Sequence, residues 1–186
     1  MKQFINKFSV LILFLAFCCF SLPSVAQNLT AEDVKNFSNV MTAVKNSNDP
    51  AIESLRNKTN FKGNEVLAIA EDGSIYVFQN ALKQETSSDS KNAMQSVVQN
   101  NGFSSLEQWA KTSDQILAAY LNVELENKGG LEKIPELTPQ IRQALPPQMI
   151  NQIEGVIKVA QAAQKASAED VAVVKANYVQ LEKSLK

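Results

Sequence analysis

Asn100-Asn101-Gly102-Phe103-Ser104-Ser105-Leu106-Glu107-Gln108-Trp109 sets a helix stop and a helix start back to back. Gly102 supplies the left-handed residue that ends a helix, and Phe103 follows where a C-terminal hydrophobic contact is expected. Ser104-Ser105-Leu106-Glu107 reads as a capping box, a serine with a glutamate three residues on. A corner of this kind joins two helices. Upstream, Ala93, Met94, Val97 and Val98 follow a cap at Ser88 or Asp89. Downstream, Leu106, Trp109, Ile116, Leu117, Tyr120 and Leu121 recur at helical spacing, which predicts a helix over 105–126, stopped by Gly129-Gly130.

The same grammar extends toward the N-terminus. Thr30-Ala31-Glu32-Asp33 is an N-cap with acids in the first turn, and Val34, Phe37, Met41 and Val44 predict a helix over 31–46. Asp49-Pro50 restarts the chain, with Ile52 and Leu55 facing inward. The stretch 66–78 admits two readings. One is a small hairpin around Asp72-Gly73. The other is two helices, Gly73 ending the first and Ser74 opening the second. No third strand is visible elsewhere and a lone hairpin is marginal, so the helices are preferred. Residues 84–90 read as a loop.

Toward the C-terminus, Pro135, Pro139, Pro146 and Pro147 punctuate a segment in which Thr138-Pro139 opens a short helix through Leu145. Pro147 opens a long helix bearing Ile150, Ile153, Ile157 and Ala160, its apolar face widened by Val156 and Val159. Ser167-Ala168-Glu169-Asp170 caps the last helix, on which Val171, Val174, Tyr178, Leu181 and Leu185 step by three and four. The short turn at Ala166-Ser167 predicts that these two helices pack antiparallel, stripe against stripe. The extra face at Val156 and Val159 is expected against the Trp109 helix or, if open, against a partner. The fold class is all-α: an irregular helical bundle with an antiparallel C-terminal helix pair and a possible small hairpin near Asp72-Gly73.

A leader precedes this domain. Lys2 and Lys7 form a positive n-region, residues 8–22 are apolar but for Ser9 and Ser21, and Pro23 breaks the run. Ser24-Val25-Ala26 places small residues where a signal peptidase reads, so cleavage is expected between Ala26 and Gln27. The apolar run is short for a stable membrane span. Residues 1–26 are therefore a secretory signal peptide and 27–186 a single helical domain, periplasmic or secreted. Lipidation at Cys18 fits less well, since Phe17 stands where a small residue is needed.

Composition then excludes much chemistry. The chain has no histidine, and Cys18 and Cys19 both lie in the leader. Without imidazole or thiol, Ser-His and Cys-His nucleophilic mechanisms are closed, a zinc site lacks its usual ligands, and no disulfide can form after cleavage. Beyond the leader, 16 basic side chains stand against 19 acidic ones, and only Arg56 and Arg142 are arginines. Without a basic stripe to neutralise phosphates, no nucleic-acid partner is expected. A calcium loop from Asn122 fails, with Asn127 at its glycine position and Lys133 at its glutamate position. No cofactor or metal is expected.

The stretch 102–109, followed by Ala119-Tyr120 on the same helix, resembles the signature of an uncharacterised family of small exported bacterial helical proteins. The proline segment and two C-terminal helices also fit, about half the domain in all. The resemblance implies export and helices, and no activity.

Few residues stand out as candidate ligand or partner sites. Phe103 and Trp109 form either a recognition corner or core packing, and aromatics at helical spacing are usually core. Ser113 with Tyr120 could line a polar spot in a pocket, or Ser113 could admit a close neighbour. Val156 and Val159 are the candidates for a partner surface. The function expected is a non-enzymatic binding or chaperone-like module of the cell envelope, with an envelope protein as partner. The alternative is a carrier of a small apolar ligand between helices, and a hydrolase using carboxylates alone ranks last.

Overall fold

The computed structural model describes residues 28–59, 68–130 and 136–185, without the side chains at 54, 55 and 57–59. The expected leader and cleavage site and both cysteines lie outside the described residues, as do Val66, Leu67, Pro135 and the side chain of Leu55.

The described chain is an all-α bundle: α1 (Ala31–Asn46), α2 (Pro50–Thr59), α3 (Phe78–Gln84), α4 (Ser88–Asn100), α5 (Leu106–Asn127), α6 (Pro139–Ala144), α7 (Pro147–Ala163), α8 (Ala168–Ala176) and α9 (Tyr178–Leu185). Its helix ends follow local chemistry. Thr30 and Asp33 close the expected capping box on α1. The corner after α4 is a Schellman turn: Phe103 N–H donates to Val98 O and Gly102 N–H to Gln99 O, with Gly102 at φ +91°. The box that follows sits one residue later than expected. Ser105 Oγ accepts the Gln108 N–H, and Gln108 Oε1 accepts from Ser104 N–H and Oγ.

The preferred helical reading of 66–78 is wrong and the hairpin reading is right for the part described. Ile69 and Ile75 form an antiparallel bridge, Tyr76 N–H donates to Ala68 O and Ala70 N–H to Ser74 O. Gly73 takes the positive φ (+77°) of the tight turn. A lone hairpin survives because it is not alone. Ile75 and Val77 are buried in the helical core, and Lys165 from the α7–α8 turn donates to Asp72 O.

The long helix α5 is the centre. It packs against α1, α3, α4, α7 and α8 and buries Leu106, Trp109, Ala110, Ile116, Leu117, Ala119 and Val123. The rings of Phe37, Phe78 and Trp109 run edge to face through the core, with centroids 5.9 and 5.3 Å apart.

The C-terminal helices correct a second expectation. The last stripe belongs to two helices, broken at Asn177, and Val171, Val174 and Leu181 bury against α5 and α1 rather than against α7. α7 makes its main contact with α5 as well, through the small residues Gly155, Ala160, Ala162 and Ala163. Small side chains let two helix backbones approach closely, so this edge won over the bulkier isoleucine stripe. That stripe is left half-covered.

Candidate functional site

Six residues were candidates from the sequence, and the fold does not gather them. Phe103, Trp109 and Ser113 are core, at 3, 6 and 0% exposure. The Trp109 indole meets the Phe78 ring edge to face, in the same core cluster as Phe103, Val171 and Val174. Trp109 Nε1 and Ser113 Oγ, one turn apart on α5, are buried without a hydrogen-bond partner among the described residues. Tyr120 is half-buried and belongs to a separate cluster. Val156 is open to solvent and Val159 half-buried.

The open surface lies on α6 and α7. No residue of α6 is buried. On α7, Met149 is 47% and Val156 55% exposed, while Ile150, Ile153, Ile157 and Val159 are half-buried. Together with the half-buried Ile141 and Leu145 of the α6 segment, they supply an apolar face largely free of charge. Arg142 of α6 is clasped to Glu154 of α7 by an ion pair, and its Nε donates to Leu137 O. This pair ties the short α6, with no buried residue of its own, to α7.

The buried carboxylates among the described residues are Glu85, Asp114 and Asp170. Asp114 is 3% exposed and accepts from the N–H groups of Val77 (2.8 Å), Phe78 (2.8 Å) and Gln79 (3.1 Å), and from Gln79 Nε2 (3.0 Å). α3 has no side-chain cap at its own start; Asp114 caps it from α5. Burial pushes the Asp114 carboxyl above the ordinary aspartate value, and these donors oppose the rise. Asp170, also buried, accepts the Leu29 N–H at 2.6 Å and so pins the chain entering α1 onto α8. Glu85 Oε1 accepts the Ser87 N–H at the start of α4. Each of these buried acids supports backbone.

A tyrosine pair joins α5 to α9. Tyr120 and Tyr178 stack with centroids 5.5 Å apart and planes 11° apart. The Tyr178 hydroxyl donates to Glu124, not to solvent as its place on the stripe suggests, and Lys128 pairs with the same carboxylate at 3.0 Å. Burial, then the negative charges of Glu124 and Glu182, raise the Tyr120 hydroxyl above its ordinary value.

Sequence reading passed over Asp114 and took Asp170 only as part of a helix cap, without its bond to Leu29. The signal was there for Asp114, which stands four after Ala110 and three before Leu117 on a buried face. A charge on such a face must meet donors. Comparison with protein-family models, curated proteins and solved structures finds no match. Among the described residues, no helix is long and apolar enough to cross a membrane.

Proposed function

We propose that this protein is a non-enzymatic binding module of the cell envelope and that the face shared by α6 and α7 receives its partner. One observation carries the reading: α7 covers its small-residue edge with α5 and leaves Met149 and Val156 about half exposed beside four half-buried aliphatic side chains. Contiguous apolar surface of this kind marks a contact made with another molecule. The leader supports the envelope as its place. The partner best suited is a protein with an apolar helix or loop, since the face is a stripe along a helix rather than an enclosed cavity.

Val156→Glu tests the reading. The variant should melt as the parent does and lose a complex that native mass spectrometry detects with the parent in envelope extracts. A complex unchanged by the substitution would remove the face from the proposal. So would the absence of any complex with the parent.

A further inference from the structure

A groove of about 560 Å³ runs between α1 and the α8–α9 segment, on surface to which neither α6 nor α7 contributes. Its volume lies within the range of small-ligand sites, but its lining is polar rather than apolar. Among the described lining residues there is no carboxylate, while Lys175 and Lys183 both face it. Lys175 is paired with Glu126. Lys183 has no ion pair among the described residues and is exposed. Opposite it, α1 presents Asn39 and Thr42; the Thr42 hydroxyl donates to Ser38 O and offers only its lone pairs to the groove. Asn177 spends its Nδ2 on Val173 O, which leaves its Oδ1 as an acceptor. Glu182, the acid beside Lys183 in sequence, does not line the groove; its charge acts on Tyr120. The groove is thus positive and rich in amides and hydroxyls.

We infer that the α1–α9 groove binds a small hydroxylated oxyanion, with Lys183 meeting the charge and Asn39, Thr42 and Asn177 meeting the hydroxyls. A sugar carboxylate and a polyol phosphate share this chemistry. Size, sign of charge and donor–acceptor set all match it, and an apolar ligand would leave these polar groups unpaired.

The test is titration of the full chain with glucuronate, glycerol phosphate and neutral glucose, followed by calorimetry and by amide NMR shifts. Saturable binding of either anion is expected, with shifts at residues 39, 42, 177 and 180, and none with glucose. Preference for glucuronate assigns the carboxylate and preference for glycerol phosphate the phosphate ester. Lys183→Gln should weaken binding about tenfold or more, because a hydrogen bond to a charged group is lost, while melting is unchanged. Absence of binding, equal binding of glucose, shifts elsewhere, or full affinity in Lys183→Gln overturns the inference. None of these results bears on the α6–α7 face, which Val156→Glu tests separately.

Discussion

Asp114 on α5 accepts the backbone N–H of Phe78 at 2.8 Å, across 36 residues of sequence. Through this bond and its neighbours, the central helix fixes where α3 begins. The same α3 start delivers the Phe78 ring to Trp109, one turn before Asp114 on α5. One face of one helix therefore both caps α3 and packs it.

Asp114→Ala should destabilise the fold by about 1–3 kcal/mol, because it strands buried backbone donors. Urea unfolding followed by circular dichroism measures this. A loss below about 0.5 kcal/mol, the size of an ordinary surface change, would mean that α3 is held by packing alone.

Trp109→Ala should cost about 3–5 kcal/mol, the range for emptying a large aromatic from a core. Phe37→Ala removes the far ring of the same row and should be of similar size. A Trp109→Ala chain of full stability would return this residue to the list of surface contacts.

Val156→Glu and Ala162→Glu should part company. The first places a charge on exposed surface and should change stability by no more than about 0.5 kcal/mol. The second buries an unpaired charge against the core, where Ala162 is 3% exposed, and should unfold the protein or cost several kcal/mol. Equal effects would show that α7 does not sit edge-on to α5.

Asp72 should titrate below its ordinary value of 3.8, because the Ser74 hydroxyl and N–H both donate to its carboxylate and Lys165 lies close. The folded chain then releases this proton more readily than the unfolded chain. The associated stability is present above the ordinary value and is lost as pH falls through the lower, folded one. Carboxyl NMR titration checks this. Ser74→Ala should move the value up, and no movement would show that the turn does not hold the carboxylate.

Gly102→Ala should destabilise by about 1–3 kcal/mol, since φ of +91° is strained for any residue with a Cβ. The added carbon would also meet Asn36 Nδ2 at 2.5 Å. A neutral result would mean that the corner can relax without disturbing α1.

The sequence by itself determined several of the helix ends. Thr30 with Asp33, Ser167 with Asp170, Pro147, and the Gly102-Phe103 turn act within a few residues of themselves, so their neighbours in the chain suffice. The all-α class follows from those signals and from the apolar spacing between them. What the tertiary structure alone decided is which stripe meets which. Periodicity shows that Val171, Val174 and Leu181 must leave water; it cannot show that α5 and α1, rather than α7, cover them. The outcome turned on the close approach allowed by Gly155, Ala160 and Ala163, a property of two surfaces together. The hairpin at Ile69 and Ile75 was passed over in favour of helices for the same reason, its stability resting on burial in a core built by distant helices. Asp114 and Lys183 are both charged residues on helices in the sequence. Only the fold buries one among backbone donors and leaves the other at the edge of a groove.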